Sequence, residues 1–144
     1  MRAEKAALWA LTVSAVYPGL WALVWPRSFH ASFPGAGLHW VSSLGPFDEH
    51  LVRDVGGFFL AFAAIGAFAA TRGTRETVQA VALAWTVFQA PHVASHVTLA
   101  AEADAGTLLQ LLALHTQLAL AVFVLVSASR RTSPSGRPQG GSTP

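Results

Sequence analysis

The chain has no cysteine. Disulfides, thiolate metal sites and thiol nucleophiles are therefore excluded. Charge is scarce too. Asp, Glu, Lys and Arg make up 11% of its 144 residues, about half the fraction usual in a soluble protein. A soluble fold of this length could not clothe its surface with so few charges. The net charge is only +2, and the basic residues are spread over termini and short loops. That excludes the basic stripe of a nucleic-acid binder. No phosphate loop, nucleophile elbow, zincin motif or dinucleotide fingerprint is present, so no enzyme class is indicated. Eight arginines against one lysine, with abundant alanine, is a composition associated with high-GC bacterial genomes.

What the chain does have is apolar sequence. Hydrophobic residues make up 53% of it, gathered into four long stretches. The first, about Ala6 to Trp25, has no charge and contains Pro18-Gly19, which predicts a kink. It is about 30 Å long as a helix, enough to cross the hydrocarbon. Its length and tryptophans favour a retained span over a cleaved signal peptide. The second span runs from about Leu51 to Thr71 and is dense in small residues. Gly57 and Ala61 sit four apart, as do Ala63 and Ala67, a spacing that lets helices approach closely in lipid. The third runs from about Val78 to Ala101 and is expected to break at Pro91; the fourth runs from about Leu108 to Ala128. The short loops 72–77 and 102–107 make spans two to four sequential antiparallel neighbours. The expected fold is all-α, an integral membrane four-helix bundle.

Charge placement sets the orientation. With the N-terminus inside, the inner segments hold Arg2, Lys5, Arg72, Arg75, Arg130, Arg131 and Arg137. The outer ones hold only Arg27 and Arg53. This is the positive-inside pattern, and it predicts a multi-pass protein of the cell membrane with both termini cytoplasmic. The segment 26–50 is then extracytoplasmic. Leu38, Val41 and Leu44, with Trp40 beside them, predict a short interfacial helix between spans one and two, bracketed by Pro34-Gly35 and Gly45-Pro46. Trp21 and Trp25 mark the same boundary as an aromatic belt. The tail 129–144 is rich in Ser, Gly and Pro with three arginines, the composition of a disordered segment held near anionic lipid.

The polar residues inside these spans are the informative ones. An ionisable group at the centre of a span costs roughly 2.5–3.5 kcal/mol or more and usually faces the bundle interior. His92 and His96 lie in span three, His115 in span four, and Asp54 at the head of span two. Measured from the hairpin joining spans three and four, the three histidines fall within ~3 Å of one depth. His92 and His96 are four apart and share a face with Gln89. Asp54 enters near the depth of His96. At the rim, Glu49 and Arg53, and His50 and Asp54, are also four apart and can touch. Three readings follow from Asp54, His92, His96 and His115. The buried groups lock helix packing; or they hold a metal or haem; or they line a pocket for a small ligand such as a quinone, or for a proton. Gln110 and Gln117 read as interhelical hydrogen bonds, and His30 and His39 as solvated loop residues. The Gly57/Ala61 face offers a surface for a second copy or another membrane subunit.

The run from Pro46 to Gly57, PFDEHLVRDVGG, resembles a stretch in small four-span proteins of actinobacteria, where an acid-His pair precedes an Arg-Asp-x-Gly helix start. The segment from Pro91 to His96 is similar to the Pro-His-x-x-x-His of their third span. In architecture the group is DoxX-like. The resemblance covers about the middle of the chain. It implies fold, location and the residues Glu49, His50, Arg53, Asp54, His92 and His96, and carries no activity with it.

Overall fold

A computed structural model of the chain describes residues 2–97 and 104–130. The predicted end of span three, the first two residues of the loop after it, and nearly all of the basic tail lie outside these residues. The described part is all-helical apart from one two-residue β-ladder. The helices are α1 (Arg2–Val24), α2 (Pro26–Ser32), α3 (Glu49–Arg72), α4 (Arg75–Val97) and α5 (Ala105–Ser129). Three of them, α1, α3 and α5, are long and apolar enough to cross a membrane. Both α1 and α4 continue through their prolines, Pro18 and Pro91. The expected break at Pro91 is therefore absent: a proline forfeits one hydrogen bond of the ladder, and the flanking turns hold the helix on either side.

The four long helices form a ring in which each packs on two antiparallel neighbours, in the order α1, α3, α4, α5. Small residues set the α1/α3 contact. A Cβ on Gly56 would lie 2.8 Å from the backbone nitrogen of Leu23, and one on Gly66 would lie 2.5 Å from Thr12 Oγ1. At Gly56 the two backbones themselves need glycine at the crossing, and at Gly66 the Thr12 side chain takes the space of a Cβ. Gly56 and Gly66 make the internal seam, while Gly57 has nothing within 4 Å of its Cβ position. Trp85 of α4 fills the middle of the ring, fully buried, against Phe62 of α3 at 4.9 Å between centroids.

Arginines close both ends of this ring. Arg53, in the first turns of α3, donates to the carbonyl of Leu23 in the last turn of α1 while its guanidinium also holds Glu49. Arg75, in the first turn of α4, donates to the carbonyls of Ala128 and Ser129 at the end of α5. In each case a cation meets carbonyls of the last turn of a neighbouring helix, at the negative end of its dipole. The starts of α3 and α5 are capped by Asp48 and Asp104, whose carboxylates accept from Leu51 N and Thr107 N.

Residues 25–48 bridge α1 and α3. The short helix of this segment is α2, with Pro26 at its first position. It is not over Leu38–Leu44, where the three-residue spacing pointed. Gly35, Ala36 and Gly37 all have positive φ, and they turn the chain into a tight hairpin pairing Pro34–Gly35 (β1) with Leu38–His39 (β2). Two glycines at such positions make the turn accessible. It uses up the residues that a helix through Leu38 would need. Tyr17, Trp21, Phe29, Phe33 and Trp40 stack ring on ring beneath the hairpin.

Candidate functional site: a histidine pair on α4

The inward seam of α4 runs Val78, Ala82, Trp85, Gln89, Val93 and His96, all buried. Spacings of three and four keep these side chains on one face. The seam is polar toward its C-terminal end. Gln89 is 1% exposed and donates to Gln117 Oε1 of α5 at 2.6 Å. One turn on, His92 and His96 stack with centroids 5.0 Å apart and planes 21° from parallel. Phe88 lies 5.7 Å from the His92 ring and packs in turn on Phe59 and Phe62 of α3. His92 therefore sits toward α3 and Gln89 toward α5. His96 is 6% exposed, and its Nδ1 is buried without a hydrogen-bond partner. His92 is half-buried.

The histidines of the chain divide by their partners. His30 Nε2 meets the carbonyl of Gly45 at 3.0 Å and His39 Nδ1 that of Ala31 at 2.6 Å. The sequence reads them as ordinary solvated residues; His39 is exposed and His30 half-buried, and both tie the segment between α1 and α3 together. His50 pairs with Asp54 at 3.4 Å. His115 Nδ1 meets the carbonyl of Leu111 in its own helix at 2.7 Å. Only the two α4 rings have neither a hydrogen bond nor an ion pair among the described residues.

The structure brings His92 and His96 together, and it does not add Asp54 or His115 to them. His115 lies near the expected level. Yet Gln117 faces α4, and a residue two positions earlier on a helix lies about 200° around it. Its ring is exposed and turned onto its own backbone. Asp54 likewise has the right height and the wrong direction, about 140° around α3 from Phe59, which faces α4. It is half exposed, bound to His50, and lines a groove of about 620 Å³ with Leu23, Arg53, Gly57, Phe58 and Ala61. Glu49, His50 and Arg53 form the ion pairs expected of them. They do so on the α1 side of α3, as a clamp on the end of α1 rather than a rim around the histidines. Among the described residues no group of three His, Cys, Asp or Glu could hold a metal.

Sequence reasoning passed over Phe88, whose ring carries the α3 aromatic stack up to His92. The signal was its place one turn before His92, on the same face. It also read Arg53 by its neighbour Glu49 alone, because a backbone carbonyl on another helix leaves no mark in sequence. Outside the site, the Asp104 carboxyl is held below the usual range, first by the backbone N–H of Thr107 and then by its hydroxyl. Comparison with protein-family models, with curated proteins and with solved structures finds no match.

Proposed function

We propose that this chain is a four-span protein of the cell membrane, both termini cytoplasmic, that binds a small ligand through His92 and His96 in its outer half. The observation that carries the reading is the unpartnered ring of His96. Buried polar groups in folded proteins are nearly always hydrogen-bonded, because an unmade bond costs about 1–3 kcal/mol. Among the described residues four other histidines find partners and the two stacked ones do not. Trp40 Nε1 and Trp85 Nε1 are buried without partners as well, but among aromatic rings. The His96 nitrogen, beside a second unpaired imidazole, is the one that meets a ligand in this reading.

The distribution of side chains supports the fourth span. Leu83 and Val87 of α4 point outward, Val87 65% exposed, while Gln89 and His96 are buried. Val13, Phe58, Phe68 and Leu112 are likewise exposed apolar residues on the other long helices. Apolar outside with polar residues inside is the arrangement that lipid favours. The α4 sequence is less hydrophobic than the others, and two of its polar residues, Gln89 and His96, are buried within the ring. In this reading α2 and the β1–β2 hairpin rest at the outer interface. The likeness to DoxX-like four-span proteins belongs to the same reading.

The test is thermal stability of the detergent-purified chain against a panel of quinones, haem and divalent metal ions. At least one should raise the melting temperature of the parent chain, and His92→Ala and His96→Ala should remove that shift. A panel with no stabilising member contradicts the reading.

A second reading has one observation in its favour. Gly57 and Ala61 are exposed, unused by the internal seam, and line the groove beside Leu23. A non-enzymatic accessory subunit would pack another membrane helix, or a second copy, there. Ala61→Leu would then disrupt association and leave the histidines untouched.

A further inference from the structure

The kind of ligand can be narrowed from the pair itself, granted the reading above that the α4 rings bind one. We infer that His92 and His96 together chelate a single borderline divalent transition-metal ion, Cu2+ or Zn2+, from one turn of α4.

Haem is disfavoured by direction. Bis-histidine haem ligation needs rings on opposed helices, and His115, which could have supplied the second, turns onto Leu111. A flat ring ligand between the imidazoles is disfavoured by space. Their centroids are 5.0 Å apart, less than the roughly 7 Å that two van der Waals stacking distances would require. Two imidazoles at i and i+4 are instead the bidentate set that one helical turn offers a metal. The donor set then selects the ion. The carboxylates of Glu49 and Asp54 are engaged elsewhere, and the chain has no thiol. Hard ions such as Ca2+ and Mg2+ need oxygen ligands, while imidazole suits Zn2+ and Cu2+, with Cu2+ the stronger.

The observed ring geometry is a resting one. The rings lie in two separate, nearly parallel planes, and each lone pair lies in the plane of its own ring, so chelation of one ion needs one ring to turn about its Cβ–Cγ bond. Neither ring is held by a hydrogen bond among the described residues, so the turn breaks none. His92, the more open of the two and beside the looser α3/α4 contact, is the ring that moves. Water completes the coordination, as in sites that keep open positions.

The experiment uses the full chain in detergent with no affinity tag, titrated with Cu2+ and with Zn2+ by calorimetry, and with Cu2+ by electron paramagnetic resonance. The expected result is saturable binding of one ion per chain and a Cu2+ spectrum with two nitrogen ligands. His92→Ala and His96→Ala should each abolish saturable binding, and His115→Ala should bind as the parent does. Should His96→Ala fail to fold, the half-exposed His92→Gln gives the same readout. Oxygen-only coordination, or binding equal in the His92 variants and the parent, overturns the metal assignment. A quinone or haem that stabilises the chain through the same histidines while neither metal binds also overturns it, and leaves the ligand-binding reading standing. If no member of the panel stabilises the chain, both fall.

Discussion

Gln89 of α4 donates to Gln117 of α5 at 2.6 Å in a nearly closed interior. Together with the bonds of Arg75 and Gln79 to the end of α5, this bond sets the register of the last two helices and decides which residues can meet. It sets His92 level with the turn holding His115, and by facing Gln117 inward it sends His115 outward. Removing one amide would strand the other. Gln89→Leu is expected to destabilise the protein by about 1–2 kcal/mol, and Gln89→Leu with Gln117→Leu by less than the sum of the singles. Reversible unfolding in mixed micelles, run as a double-mutant cycle, measures this.

Neighbouring glycines on α3 should behave oppositely. Gly56→Ala drives a methyl into the backbone of α1 at Leu23 and should cost about 1–3 kcal/mol. Gly57→Ala meets open space and gains helix propensity. It should leave stability equal or slightly higher. Thermal denaturation of the two variants side by side separates them.

Arg75 is a cross-helix cap rather than a loop charge. Arg75→Met keeps the apolar stem and removes the donors to Ala128 and Ser129. The last turn of α5 should fray, with hydrogen exchange at residues 126–130 quickening well before exchange elsewhere in the helix. Uniform exchange along α5 would count against the cap.

Acid should loosen the start of α5 first. The Asp104 carboxyl sits below its ordinary range because Thr107 donates to the charged form. A group whose folded value is depressed contributes stability above its unfolded value and loses it as pH falls through the folded one. Protection of the first turn of α5 should hold at neutral pH and decline below the ordinary aspartate range. Asp104→Ala should be unprotected throughout and show no such decline.

The helices were legible because their signals are local: long apolar runs separated by short polar stretches. The caps Asp48 and Asp104, one residue before α3 and α5, were not singled out in the sequence. Height was legible too, since a helix rises by a fixed step per residue. Direction around the axis was not. The depth of His115 and Asp54 could be counted from the hairpins, but their facing depends on which neighbours the helix packs against. Gln117 for α5 and Phe59 for α3 report that only once the fold is known. The short helix between α1 and α3 was misplaced for a related reason. Three-residue spacing at Leu38, Val41 and Leu44 describes a helix, while Gly35 and Gly37 allow a hairpin held against Tyr17, whose hydroxyl donates to the carbonyl of Pro34.

Because the chain lacks cysteine, a single introduced thiol reports its own position without interference. The most direct measurement is labelling of His92→Cys by a membrane-impermeant maleimide in right-side-out vesicles, with Val87→Cys as the lipid-facing control. Labelling of position 92 from the outer side, with position 87 silent, is the expected result. A thiol at position 92 that reacts only from the cytoplasmic side, or from neither, would contradict a ligand site open to the exterior.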